Sequence, residues 1–368
     1  MARFSDVLTI VNGRSQSKVE NPNGKYPIYG SGGIMGYADD YLCEAETIVI
    51  GRKGSINKPI FVEEPFWNVD TAFGLVADRE KLVPRFLFYF CVHFDFEKLN
   101  TTVTIPSLTK ANLLQVEIEL PSVSDQNRIV AELSKVDHLI SLRKQQLEKL
   151  DELVKARFVE LFGDPMDNPM GWDRVNISAV VGGKVSNGFF AKRDDYCDDG
   201  NVEVLGVANV VNRMYSNIED LPTTNGTETD IAKYGVKYGD MLFCRSSLVA
   251  AGIGKASIVP KDIPNNVLFE CHVIRLPLDL DKCVPEFMQV LSTTDYFRNQ
   301  VIAQSKTATM TTIGQDGILK TDVILPPLEL QKQFLKFVQQ NDKSKLSIQQ
   351  SLDKLETLKK ALMQKYFG

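Results

Sequence analysis

The sequence predicts an α+β protein: two β-rich globular heads and two long helices, arranged as an internal repeat. Three observations carry this. About forty residues after Pro121 contain neither Gly nor Pro, and the run is then stopped by Gly163, Asp164 and Pro165. A second copy of that run ends the chain. Both heads are built of short alternating runs separated by glycine-rich or basic turns. The boundaries expected are 1–121 for the first head, 122–163 for the central helix, 164–326 for the second head and 327–368 for the C-terminal helix.

In the central helix the apolar residues Leu133, Val136, Ile140, Leu147, Leu150, Val154, Phe158 and Leu161 mostly step by three, four or seven, interrupted once by Arg143 and Lys144. So narrow a stripe calls for a partner helix. The residues from Asp125 to Phe162 would span roughly 57 Å at the helical rise, the length of a spacer. Ser122 with Asp125 fits a capping box at its start.

The partner is in the same chain. A shift of 205 positions lays Leu120-Pro121 on Leu325-Pro326, Gln126 on Gln331 and Asp137 on Asp342. It also lays Leu147, Leu150 and Leu153 on Leu352, Leu355 and Leu358, and Phe162-Gly163 on Phe367-Gly368. No gap is needed, so the chain carries a duplication. Upstream, Thr102, Thr104 and Leu114 match Thr307, Thr309 and Leu319. FSDVLTIVNG from Phe4 matches WDRVNISAVVGG from Trp172 at a shift of 168, which assigns about 37 extra residues to the second head.

In the first head, Phe4 to Gly13 reads as a short strand or helix start. KYPIYGSGGIMGYADDYL reads as turns between short strands, since GSGGIMG lacks the spacing of a nucleotide-binding glycine loop. TIVIGRKGSINKPIFV is a strand, a basic turn and a strand ending near Val62. Arg52 and Lys53 at that tip can reach a phosphate or a guanine edge, or be solvated turn charge. Phe66 to Ala77 reads as a further strand pair, PRFLFYFCVHF as an apolar helix with His93 packed in the core, and VEIELP as a closing strand.

The second head repeats the scheme. VEVLGVANV reads as a strand, KYGVKYGDMLFCRSS as a turn and a strand ending at Arg245, Ser246 and Ser247, and GKASIVP as another strand. Arg245 takes the place of Arg52, IVIGRKGS against MLFCRSSL. PEFMQVLSTTDYFRNQV is helical, and the strand DVILPP leads into the helix from Leu328 to Phe367.

Composition narrows the function. Hydrophobic residues make up 43% and charged residues 24%, ordinary globular proportions. The most apolar run, Phe86 to Phe94, is too short to span a bilayer, and MARFSDVLTI lacks the pattern of a secretory signal, so a cytoplasmic protein is expected. Six cysteines without a CxxC pair read as buried hydrophobes rather than disulfides or zinc ligands. The net charge of −5 argues against holding nucleic acid alone through a general basic field but leaves room for a local basic face; if the chain binds DNA, partner subunits should neutralise part of the phosphate. The three histidines, His93, His138 and His272, lack metal spacing. No Walker sequence, HExxH, GxSxG or adenine methyltransferase loop occurs. The chain reads as non-catalytic and free of cofactor. Two heads of one frame and different content, on paired helices, suit the reading of two different sites at fixed separation.

The sequence resembles the specificity subunit of type I restriction-modification systems. LFGDPMDNPMGW from Leu161 to Trp172, YPIYGSGGIMGY, KYGDMLFCRS and the duplicated Leu-Pro…Gln helix start carry the likeness. It covers nearly the whole chain, although the chain starts almost directly with the first head, without the helical extension of some relatives. The resemblance implies two target recognition domains, each reading one half of an asymmetric bipartite double-stranded DNA target. It further implies that the two long helices form an antiparallel coiled coil with a pseudo-twofold repeat. That platform would dock two methyltransferase subunits, which carry S-adenosylmethionine and flip out the adenine. Restriction and translocase subunits would join them.

The candidate DNA contacts, chosen for charge at a turn or strand end, are Arg52, Lys53, Ser55 and Lys58 in the first head and Lys192, Arg193, Arg245, Ser246 and Lys306 in the second. The candidate docking helices are marked by Leu133, Val136, Ile140, Leu147, Leu150, Val154, Leu352, Leu355 and Leu358. Two rival readings stand beside this one: a non-DNA adaptor with two β-rich binding heads on a coiled-coil arm, and an enzyme with an unrecognised site.

Overall fold

The computed structural model describes residues 1–99 and 107–368. It divides into two compact units, one of residues 1–146 with 348–368, the other of residues 147–347. Thr102 and Thr104 of the sequence repeat lie outside the described residues. No helix of the described residues is long and apolar enough to cross a membrane.

The first unit opens with β1 (Ala2–Arg3), α1 (Phe4–Val7) and β2 (Leu8–Asn12). The glycine-rich stretch forms the hairpin β3 (Tyr26–Gly30) and β4 (Gly33–Ala38), and β5 (Thr47–Gly51) and β6 (Ile60–Val62) flank the basic turn. Then come β7 (Trp67–Asn68), β8 (Ala72–Ala77), α2 (Pro84–His93), α3 (Lys110–Leu114), β9 (Glu117–Ile118) and the long α4 (Val123–Phe162), whose residues from 147 on belong to the second unit. An antiparallel sheet runs β2-β8-β5-β6, a second runs β4-β3-β7, and β1 pairs with β9. The inner strand β5, TIVIG, is buried along its whole length, as its unbroken Val and Ile run requires. Phe4, Ile48, Ile50, Leu75, Phe86 and Leu113 form the core with Leu133 of α4.

The second unit contains β10 (Arg174–Asn176), β11 (Ser186–Asn187), β12 (Val202–Leu205), α5 (Val207–Val210), β13 (Thr223–Thr224) and α6 (Glu228–Tyr234). These are followed by β14 (Asp240–Cys244), β15 (Ser246–Ser247), β16 (Ala256–Ile258), β17 (Val267–Phe269) and β18 (Val273–Pro277). The unit continues with α7 (Pro285–Thr293), α8 (Asp295–Gln304), β19 (Lys306–Thr307), β20 (Thr311–Thr312), α9 (Gln315–Leu319), β21 (Asp322–Ile324) and α10 (Leu328–Phe367), whose residues from 348 on belong to the first unit. Its sheets run β11-β18-β14-β16, β13-β12-β17 and β15-β20-β19, with β10 against β21.

Three local readings change. β7 and β8 are not partners: β7 lies parallel to β3, while β8 pairs with β2 and β5. A tight turn, in which Ala72 N donates to Val69 O and the Asn68 amide to Ala72 O, carries the chain from one sheet to the other. VEVLGVANV is a strand only to Leu205, because Gly206 opens the helical turn α5, where Asn209 Oδ1 accepts from Gly206 N. The helix predicted over PEFMQVLSTTDYFRNQV is two helices. Thr294 ends the first and caps the second, its Oγ1 donating to Leu291 O at 2.7 Å and accepting from Phe297 N at 3.4 Å.

The repeat is visible bond by bond. Val83 N donates to Gln126 Oε1 at 2.8 Å and Val284 N to Gln331 Oε1 at 2.9 Å, fastening each apolar helix to the start of each long helix. Phe4 N donates to Val116 O as Ile177 N does to Thr321 O, both at 2.9 Å. Asp78 N donates to Val7 O as Asp279 N does to Val180 O. The N-terminal match is therefore Phe4 with Ile177, a shift of 173 instead of 168. Between shifts of 173 and 205 the second head gains 32 residues, not 37.

Within each unit the long helices pair antiparallel. In the first, Glu132 accepts from Tyr366, Asp137 pairs with Lys359 at 2.6 Å, and Arg143 Nε donates to Ser351 Oγ. In the second, Asp151 pairs with Lys345 at 2.5 Å, and the Phe158 ring lies 5.8 Å from that of Phe334. The helix ends enter the head cores. Phe162 sits 4.8 Å from Phe287 in the second unit, as Phe367 sits 5.1 Å from Phe86 in the first.

Beyond Phe162, Gly163 adopts φ +76°, where a side chain would be strained, and its N–H closes the helix on Val159 O. Trp172 returns over the helix end, its indole Nε1 donating to Phe162 O at 2.9 Å, and Asn168 bonds both the N–H and the carbonyl of Trp172. The LFGDPMDNPMGW junction is thus a helix stop that holds its own lid.

One position breaks the repeat in the core. Asn341 is buried and neither atom of its amide has a hydrogen-bond partner among the described residues, whereas its counterpart in the first copy is the buried Val136. Asn341→Val should raise stability by about 1–2 kcal/mol in urea unfolding. A fall would show that the amide is satisfied and the departure structural.

Candidate nucleic-acid interface

In each head an arginine follows the inner strand directly, and one backbone frame holds it. Leu108 N donates to Arg52 O at 2.9 Å, and Ile313 N donates to Arg245 O at 3.1 Å. The next residues also correspond: Lys53 bridges to Ser107, and Ser246 pairs with Thr312. The equivalence of Arg52 and Arg245 expected from sequence is thus a matter of hydrogen bonds.

The first-head loop between β5 and β6 is anchored from below. Ile56 is buried, and Asn57 donates to Asp95 Oδ1 at 2.9 Å while accepting from Phe96 N at 2.7 Å. Gly54, at φ +77°, turns the chain over. Arg52, Lys53 and Lys58 are left exposed and Ser55 half-buried. The Arg52 guanidinium lies 5.9 Å from the Phe73 ring centre, and among the described residues no carboxylate pairs with any of the three cations. Four candidates therefore share one anchored, cationic loop.

The second head separates its candidates. Arg245, Ser246 and Lys306 come together, because Ser246 pairs with Thr312 and Thr312 with Lys306 across β15-β20-β19. Arg245 is half-buried, its Nη1 donating to Cys271 O at 3.2 Å. Lys192 and Arg193 are exposed on a different segment, a short turn in which Lys192 N donates to Asp195 Oδ2 at 2.7 Å. Asp194 and Asp195 follow directly and offset their charge. The Phe189 bridge to Glu270 fastens the start of that segment.

Sequence reasoning missed two features. His272 Nδ1 lies 3.2 Å from Ser246 Oγ, a placement that only the pairing of β14 with β18 creates. The hydroxyls of Thr307 and Thr311, 3.1 Å apart, extend the polar face of the small sheet. The alternation in SKTATMTT was the available signal. Among the described residues no group of three or more His, Cys, Asp or Glu could hold a metal. Burial drives the Cys43 thiol up to about 12 and raises those of Cys91, Cys244 and Cys283.

Of the nine marker residues on the long helices, Leu133, Val136, Val154 and Leu352 are buried and Ile140, Leu147, Leu150 and Leu355 half-buried; Leu358 is 47% exposed. Most of the stripe therefore faces inward. Leu142, Leu153, Val159, Leu346 and Leu358 are the large aliphatic residues these helices leave to solvent beyond their first turn.

Comparison with known proteins agrees with this frame. Over 338 residues the chain is 25% identical to the specificity subunit of the type I restriction enzyme MjaVIII of Methanocaldococcus jannaschii, covering 87% of this chain and 75% of that one. It is 21% identical to the EcoKI specificity subunit of Escherichia coli over 88% of this chain and 74% of that one. The fold matches the crystal structure of a type I S subunit from M. genitalium with a TM-score of 0.59 at 14% identity, over 100% of this chain and 95% of that one. A chain from a structural study of type I system assembly and conformational transition matches at 0.56 and 17%, over 100% and 96%. The family model for the type I restriction modification DNA specificity domain matches residues 1–152 and again 169–358, one copy for each half of the duplication, and the chain belongs to that family.

Proposed function

We propose that this chain is the non-catalytic specificity subunit of a type I restriction-modification complex, in which each head reads one half of an asymmetric bipartite DNA target. The paired helices set the spacer and dock two methyltransferase subunits. Those partners carry S-adenosylmethionine and restriction subunits join them, all in the cytoplasm. The observation that carries the reading is the pair of arginines held by one backbone frame in loops of otherwise different content. A shared frame gives both heads the same approach to a duplex, and different loops give them different bases to read.

The test is long-read mapping of methylated adenine in cells with and without the gene. Loss of one split motif, two short half-sites around a fixed gap, is expected. An unchanged methylome with no co-purifying methyltransferase would favour the adaptor with two β-rich heads.

Arg52→Ala should weaken binding through the first half-site and Arg245→Ala through the second, each by about 1–3 kcal/mol. Competition with duplexes altered in one half-site at a time reads this. A uniform loss across sequences with a reduced salt slope would reassign either arginine to phosphate contact.

A further inference from the structure

The second head carries two of its most exposed aliphatic side chains on one loop tip. Leu248 is 82% exposed and Val249 63%, directly after β15. Leu248 follows Ser247 and Met310, itself 37% exposed, precedes its partner Thr311, so both leave the same end of that strand pair. Three apolar side chains thus share one end of the β15-β20-β19 sheet.

The tip is held in place. Val249 N donates to Ser247 Oγ at 3.3 Å, Gly252 N to Val249 O at 3.0 Å, and Arg298 Nη2 to Ala251 O at 3.2 Å and Ile253 O at 2.5 Å. Buried Ile253 anchors the far side. The neighbours Ala250, Ala251 and Gly252 are small, which keeps the tip narrow. A fastened, narrow loop that points branched aliphatics at water marks a contact surface.

Its base is polar and cationic. Arg245, Ser246, His272, Thr307 and Lys306 lie on the same small sheet or against it. That charge suits a polyanion and the apolar tip suits a stacked interior. A nucleic-acid duplex offers both within a few ångströms.

The first head has the same combination from a different strand. Ile34 and Met35 in β4 are 55% and 63% exposed. Met35 lies over Gly30, and the adjoining Ser31 packs against Gly51, the residue before Arg52.

We propose that Leu248, with Val249 and Met310 beside it, is an apolar wedge that enters the DNA at a base step of the half-site read by the second head, while Ser246 and Lys306 hold the flanking backbone and Arg245 reads the adjoining base edge. This rests on the DNA-reading function above. The wedge partly unstacks its step, so sequence enters through the ease of opening that step as well as through base-edge contacts.

The experiment uses the full complex with its methyltransferase and duplexes of the mapped target. 2-Aminopurine is placed at successive positions of the second half-site other than the methylated adenine. The wild-type complex should raise fluorescence at one step. Leu248→Ala combined with Val249→Ala should abolish that rise and weaken target binding roughly tenfold, with the salt slope unchanged because no phosphate contact is lost. Leu248→Phe should restore the rise, showing that the doubly substituted loop had lost a wedge and not its fold. A persisting rise in the Ala variant, a flattened salt slope, or loss of the methyltransferase in place of DNA affinity would each overturn the wedge. A wild-type complex with no preference for its target over a scrambled duplex would remove the DNA-reading function itself, and the wedge with it.

Discussion

Deleting residues 360–368 unfolds the first head and spares the second. Leu362 and Met363 are buried in the first core, and the Phe367 ring lies 5.1 Å from Phe86 and 6.3 Å from Phe90. Losing three such side chains removes about 5–8 kcal/mol of apolar burial, comparable with the whole stability of an ordinary domain. The chain has two tryptophans, Trp67 in the first unit and Trp172 in the second, so Trp→Phe variants can assign the fluorescence. Trp67 emission should shift to the red while that of Trp172 stays native. Simultaneous loss of both would show that the two units unfold as one.

Gln126→Ala costs about 3–5 kcal/mol, far more than removing a surface amide. Gln126 is fully buried; its Oε1 accepts from Val83 N, and its Nε2 donates to Lys81 O at 2.8 Å and Pro121 O at 3.0 Å. Truncation strands one donor and two acceptors, at about 1–3 kcal/mol each before relaxation. Denaturant unfolding of the first unit measures it. Gln126→Glu separates shape from hydrogen bonding, because a carboxylate would face both carbonyls with no proton to give. Its folded pKa would lie above the unfolded value, so its stability deficit shrinks as pH falls below the folded pKa and grows as pH rises through it. An unfolding midpoint for Gln126→Glu that ignores pH would contradict this account.

Much of the architecture was legible because it depends on periodicity and punctuation. A run without Gly or Pro after Ser122 leaves the backbone no cheap place to stop until Gly163, and the structure shows α4 ending at Phe162. Half of the capping box is present: Ser122 Oγ accepts from Asp125 N at 3.1 Å, while the Asp125 carboxylate accepts from the Ser122 hydroxyl at 2.6 Å. The arginine equivalence was legible because strand, Arg and small residue recur in order. The N-terminal register was not. Its match rested on a few apolar residues beside an insertion, and only the bonds from Phe4 and Ile177 fix it. The break at Thr294 was hidden because a threonine can either continue a helix or cap the next, and tertiary packing decides. Lys192 and Arg193 stand out in the sequence only for charge at a turn or strand end. Their carboxylate neighbours stood in the same stretch, but the strand partners that gather Arg245, Ser246 and Lys306 are distant in sequence.

The placement of Phe367 in the first core also orders events in time. During synthesis the strands and α2 of the first head leave the ribosome early, yet Phe86 and Phe90 wait for a ring encoded more than 250 residues later. The opposite holds for Phe287, whose partner Phe162 is already made when it emerges. The earlier-made head is therefore completed last, with an apolar surface open during most of translation. Vectorial folding thus leaves that surface for chaperones, or a newly arriving subunit, to shield.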